Sequence, residues 1–258
     1  MLNALAERLA VDPARVEILI GDPDAAPQHL TAGSWGTASA IPAVQAAADL
    51  LQRRYDELHG GRLLGGNLHQ GLARLRRPFI EVEANSRAPG QPDAVFGRLA
   101  NGLPSAVGPE HPDFVSLSYA AHFVEVRVEP TTRRVRVPRV VSFIDCGRVV
   151  SPRTAESQVR GGVVWGIGAA LREAGEIDPR FGGALNNDLA EYVVPVNADI
   201  GQIDVGFIDR PDPLLNATGV KGVGEVVMVG VAPAIGNAIF HATGQRLRDL
   251  PMRIEHLL

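Results

Sequence analysis

The chain has 258 residues, 45% of them apolar, with 25 basic against 29 acidic side chains and a formal net charge of −4. That length can bury a sizeable core in one large domain or two small ones, and the slightly acidic balance, without a face-long basic run, excludes nucleic acid as an expected partner. The single cysteine, Cys146, excludes an intrachain disulfide and any iron–sulfur cluster held by this chain alone; no histidine pair has metal-ligand spacing, so no side-chain metal site is expected.

No stretch approaches the roughly 18 consecutive apolar residues of a membrane span. Residues 1–8 lack the basic and apolar regions of a signal peptide, so compartment stays open, export with a partner's signal included. Leu2, Leu5 and Leu9 recur at helical spacing, and Val11-Asp12-Pro13 ends that helix. Arg15 to Ile20 reads as a short strand, completing an αβ unit. Small and hydroxylated residues then run from Ala32 to Ser39, either as an N-cap loop or as a source of hydrogen bonds to a ligand. Ile41, Val44, Ala48, Leu51, Tyr55 and Leu58 form one face of a long helix, broken by His59-Gly60-Gly61 and Gly65-Gly66. A further strand is expected from Phe79 to Val82. From Arg87 to Pro112 the chain is rich in proline and glycine and reads as a long surface loop or lid.

Period-two alternation in His122–Val128 and Arg134–Val137, around Pro130-Thr131-Thr132, predicts a hairpin with one wet face. Its second strand continues through Val140 to Ile144 and stops at Asp145-Cys146-Gly147. Cys146 fits a small buried residue better than a nucleophile, because no base is implied beside it. In Arg148-Val149-Val150-Ser151-Pro152-Arg153-Thr154, Ser151 is placed as N-cap and Pro152 as the first helical residue. Arginines there oppose the helix macrodipole, so an anion such as a phosphate explains them better than structure alone. Val159, Val163, Ile167 and Leu171 make the apolar stripe of this helix. Gly161, Gly162, Gly166 and Gly168 weaken it by roughly 1 kcal/mol each, which fits close approach of another backbone or of a ligand. Tyr192–Val196 and Gln202–Ile208 are expected as strands.

Gly219-Val220-Lys221-Gly222-Val223-Gly224-Glu225 combines three glycines with a lysine and suggests an anion cradle. It matches neither the P-loop nor the dinucleotide glycine pattern. Glu225 enters the apolar run Val226–Val229, where burial would raise a carboxylate's pKa and poise it as a base. Val231, Ala234, Ile235, Ala238, Ile239 and Ala242 form the apolar stripe of a last helix, with Pro233 in its first turn and Gly244 at its stop.

Three stretches, Arg148 to Gln158, Glu191 to Val196 and Gly219 to Pro251, together resemble the C-terminal part of the molybdenum-binding subunit of the xanthine oxidase and aldehyde oxidase family of molybdenum hydroxylases. The likeness points in particular to the bacterial periplasmic-type aldehyde oxidoreductase. Gly21-Asp22 and Trp35-Gly36-Thr37-Ala38 fit the same pattern. The resemblance implies an α+β molybdopterin-binding fold in two parts, 1–120 and 121–258. It implies Glu225 as the base that takes a proton from a water-derived oxygen. Thr37, Ala38, Arg148, Val149, Val150, Ser151, Pro152, Arg153, Thr154, Gln158, Lys221, Gly222, Val223 and Gly224 would contact a molybdopterin cytosine dinucleotide, whose own dithiolene holds the molybdenum. Sister subunits with [2Fe–2S] clusters and FAD are implied, as is an N-terminal half of the molybdenum subunit not found before Met1; without these, activity is not expected. The implied substrate is a small aldehyde. A hydroxylase of N-heterocycles or purines and a non-catalytic assembly or nucleotide-binding module are the alternatives.

Overall fold

Valine-rich alternation on either side of a short turn produces the hairpin at the centre of the fold. In a computed structural model that describes residues 1–27, 31–60, 67–103 and 114–258, strand β1 (Tyr119–Val128) pairs antiparallel with β2 (Val135–Asp145). Ala120, His122 and Val124 stand opposite Ile144, Ser142 and Val140 on one face; Tyr119, Ala121 and Phe123 take the other face. Pro138 lies inside a central strand yet leaves the ladder intact, because the register shifts between Glu125 and Arg127 and gives β2 the extra residue of a bulge.

β2 also pairs, in parallel, with β3 (Ile200–Phe207), giving a three-stranded mixed sheet in the order β1-β2-β3. Parallel neighbours need a crossover, and helix α5 (Pro152–Leu171) lies within the connection. Helix α6 (Val226–Thr243) packs on β1 and on α5. Val140 and Ile144 of the sheet, Val159, Val163 and Ile167 of α5, and Val227, Val231, Ile235 and Ile239 of α6 form one buried cluster. Burying each such side chain contributes about 1.5–3 kcal/mol. The structure is therefore α+β, as the resemblance implies.

The chain divides into two compact units. Unit 2, Ser118–Arg210 with Gly222–Leu258, holds the sheet, α5 and α6. Unit 1, Met1–Leu117 with Pro211–Lys221, is helical: α1 (Leu2–Leu9) packs on α2 (Gly36–His59), and α3 (Leu68–Arg74) and α4 (Ala94–Ala100) follow. Arg8 Nε meets Asp49 Oδ1 at 2.6 Å across the α1–α2 pair.

Several expected elements come out differently. Among the described residues unit 1 has no strand. Burial in Arg15–Ile20 and Phe79–Val82 does alternate in part, with Val16, Ile18, Ile80 and Val82 half-buried, but neither segment has a ladder partner among the described residues, and a strand needs one. Tyr192–Val196 is also unpaired; Tyr192 instead donates its hydroxyl to Glu173 at 3.0 Å. The expected loop from Arg87 contains α4, and residues 104–112 of it, like Gly61, Gly65 and Gly66, lie outside the described residues. α3 was not anticipated, although Asn67 and Gln70 form a reciprocal capping box of the N-x-x-Q kind. α6 starts at Val226, a turn earlier than its stripe suggests, which puts Pro233 in its interior instead of its first turn. At 18 residues and mean hydropathy 1.5, α6 is as long and apolar as a membrane span, contrary to the sequence expectation. Its stripe of Val227, Val231, Ile235 and Ile239 is nevertheless buried against the sheet and α5.

Candidate functional site

Asn216 organises the glycine stretch. Its Oδ1 accepts from the amides of Thr218 and Val220 at 3.1 and 3.2 Å, and its Nδ2 donates to the Val220 carbonyl at 2.9 Å. Gly219 has φ 72°, and a Cβ there would come within 2.6 Å of Pro211, so both the backbone conformation and the space require glycine. Asn216 was missed in the sequence, although an Asn two residues before Thr-Gly is an Asx-turn signal. Lys221 donates from Nζ to the Leu117 carbonyl at 2.8 Å, and Ser118 donates to the Gly222 carbonyl at 2.6 Å. The cradle is thus tied down from both sides by residues that carried no motif.

The glycines of α5 have a structural role at two positions. A Cβ on Gly162 would stand 2.7 Å from that of Val227, and one on Gly166 would stand 2.4 Å from that of Val231. They are the notches that let α6 approach. Gly161 faces open space, and Gly168 is crowded by Glu173 and Pro195. Because Gly162 matches Val227 and Gly166 matches Val231, the two helices run in the same direction. α5 begins about ten residues before the first notch, so it projects roughly 15 Å beyond the start of α6. Continued N-terminally in steps of four, the stripe of notches passes through Gln158 and Thr154, both exposed.

The end of that projection is rich in donors. Ser151 occupies the N-cap position as expected, but its side chain makes no capping hydrogen bond, and the first turn contains no acidic residue. The first-turn amides therefore keep their partial positive charge, with Arg153 exposed and Arg148 half-buried beside them. Val149 is held by its amide, which donates to Asp209 Oδ1 at 2.9 Å. Val150 is half-buried and Pro152 takes the first helical position. Cys146 is buried, as expected.

Glu225 departs from expectation. It is the N-cap residue of α6 and is exposed, so the anticipated burial in an apolar run is not what the chain itself provides. Residues 226–229 are distributed around a helix at about 100° each, so only Val227 of the four is buried. The carboxylate stands instead at the positive end of α6, with Val223 and Gly224 half-buried before it.

In unit 1, Thr37 and Ala38 lie in the first turn of α2, whose N-cap residue, Trp35, also gives no side-chain cap. Pro42 has no N–H to offer the Ala38 carbonyl one turn back. A separate cavity of about 380 Å³, lined in part by Pro42, Ser86, Arg87, Leu215 and Asn216, contains none of the sequence-predicted residues. Arg87 there is paired with Asp93.

Within unit 2, the uncapped first turn of α5 with its arginines is the kind of feature that meets an anionic oxygen. The molybdopterin cofactor-binding domain profile matches residues 1–201. The aldehyde oxidoreductase molybdenum-binding subunit PaoC of Escherichia coli (strain K12) is 34% identical over all of this chain and 34% of its own length. The probable hypoxanthine oxidase XdhD of the same strain is 30% identical over 98% of this chain and 26% of its own. In fold, the chain superposes on the aldehyde oxidoreductase of Desulfovibrio gigas with TM-score 0.74 at 24% identity, covering 100% of this chain and 27% of that one. The chain belongs to the molybdopterin cofactor-binding domain family, within the molybdenum-binding subunits of the xanthine oxidase and aldehyde oxidoreductase group. It spans about a third of the length of PaoC and about a quarter of that of XdhD.

Proposed function

We propose that the chain is the catalytic molybdenum-binding portion of an enzyme that oxidises aldehydes to carboxylic acids. The cofactor would be held as molybdopterin cytosine dinucleotide, and [2Fe–2S] and FAD subunits would take the electrons. One observation carries the reading: α5, with Thr154 and Gln158 exposed, projects roughly 15 Å beyond the start of α6, with uncapped amides at its far end and Glu225 at its near end. Arg148 and Arg153 would hold the phosphates of such a cofactor, and Gly222, Val223 and Gly224 would contact its pterin. The bound cofactor supplies the two-electron oxidation and an oxygen drawn from water.

The chain's own residues do the rest. First-turn amides of α5, with Arg148 and Arg153, bind phosphate oxygens. The hydroxyl of Thr154 and the amide of Gln158 hold the nucleotide, and Thr37, Ala38 and Lys221 add donors. Glu225 accepts the proton at a carboxylate oxygen, and the remaining subunit sequence would enclose it and exclude water.

The test is metal and nucleotide analysis of the chain purified with its native subunits from cells that make the cofactor, combined with Glu225→Gln. Molybdenum and released cytidine nucleotide are expected in both proteins, with turnover in the variant reduced by about 10²–10⁴-fold. Full turnover in the variant would remove Glu225 from the reaction, and a folded complex with neither metal nor nucleotide would favour a non-catalytic assembly module. The likeness to the hypoxanthine oxidase supports a second reading, hydroxylation of an N-heterocycle. Preferential turnover of a purine over aldehydes would establish it.

A further inference from the structure

β1 turns Ala120, His122, Val124, Val126 and Val128 toward the core, and His122 alone of these is polar. Its Nδ1 lies 2.8 Å from Oγ of Ser142, the residue opposite it on β2, which is fully buried. Its Nε2 is also buried and meets no hydrogen-bond partner among the described residues, and the ring lies close to the backbone of Val227 in α6. The ring fits where α6 has Gly230: a Cβ there would come within 2.6 Å of the imidazole Cδ2 and 3.0 Å of Nε2.

A valine at position 122 would fill this space without a desolvation cost, and an alanine at 230 would favour the helix by roughly 1 kcal/mol. The sequence instead combines a buried histidine with a mid-helix glycine. Val227 lies two residues after Glu225 and Gly230 five after it, so the ring touches the first two turns of the helix that Glu225 caps.

We infer that His122, braced by Ser142, is a positioning residue that holds the first turns of α6, and with them Glu225, at a fixed height over β1. The inference rests on the reading of Glu225 as the base. Burial pushes the imidazole pKa down, so the ring stays neutral; with its proton on Nε2, toward the Val227 carbonyl, Nδ1 can accept from the Ser142 hydroxyl.

Two variants test it in the molybdenum-loaded enzyme with its native subunits. Gly230→Ala drives a methyl group into the ring. His122→Asn keeps a partner for Ser142 but withdraws the ring from α6. Each should speed amide exchange of Val229, Gly230, Val231 and Ala232, the first amides bonded within α6, about tenfold while the α5 amides stay unchanged. Each should lower kcat by about ten- to a hundredfold at nearly constant KM and constant molybdenum content. In the double variant the new methyl occupies the vacated space, and both exchange and kcat should recover. Unchanged exchange in His122→Asn, or faster exchange with unchanged kcat per molybdenum, overturns the inference. Glu225→Gln serves as the separate arm: if it retains turnover, the base assignment fails, while the exchange data still report whether His122 holds α6.

Discussion

Unit 2 is organised by burial and unit 1 by turns. In unit 2 the sheet, α5 and α6 share one continuous cluster running from Val137 to Leu257, nearly all of it aliphatic. In unit 1 the fully buried apolar side chains of the described residues are few, among them Ala6, Ile41, Ala48 and Val220, and Asn216 holds the 216–220 turn by side-chain hydrogen bonds. An apolar core resists local opening, whereas a hydrogen-bonded turn is stable only while each bond is made. The helix starts of α5 and α6 thus belong to the unit with the continuous apolar core.

Removing core volume should break this contrast most strongly. Ile235→Ala, at a site with 0% exposure, should cost about 2–5 kcal/mol in urea unfolding, while Ile20→Ala, exposed in unit 1, should stay within about 0.5 kcal/mol. Equal costs would mean that unit 1 is held by a core of its own. Asn216→Ala should come next, at about 1–3 kcal/mol, because the Thr218 and Val220 amides lose their acceptor. Exchange should quicken at residues 216–220 and leave α5 and α6 unchanged; exchange that spread into α6 would show the two units to be one cooperative body.

The smallest effect sharpens the picture inside unit 2. His122 has a folded pKa below the ordinary value of about 6.5, the cause being desolvation. Above that value the imidazole is neutral in both folded and unfolded chains. As pH falls below it, the unfolded chain takes up a proton that the folded chain refuses, so stability declines until the lower folded pKa is passed. Denaturation midpoints measured from pH 7.5 down to pH 5 should therefore fall more steeply in the native sequence than in His122→Asn. Parallel slopes would place the acid sensitivity elsewhere.

Legibility in the sequence followed the range of the forces involved. The β1–β2 hairpin could be read because both strands and their turn are contiguous, so the partner is implied by the same stretch. Arg15–Ile20 and Phe79–Val82 show partial strand-like alternation in burial, but a ladder depends on a distant partner that alternation cannot guarantee. The start of α5 was legible from Ser151 and Pro152, since N-cap and first-turn preferences are local, although the Ser151 side chain makes no capping bond. Glu225 was misjudged because its apolar neighbours were read as an environment, when a helix sends each of them in a different direction. Asn216 carries a local Asx-turn signal that went unread, whereas Ser118 donates to a carbonyl a hundred positions away, which no residue pattern announces.

The glycine notches of α5 also make it a ruler. Val227 and Val231 engage it at two marks four residues apart, and the next positions along the stripe, Gln158 and Ala170, offer no further notch, so α6 has one seat on it. The span between the start of α5 and Glu225, the N-cap residue of α6, is therefore set by where the glycines fall in α5, so a residue substituted at either notch would change a length as well as a contact.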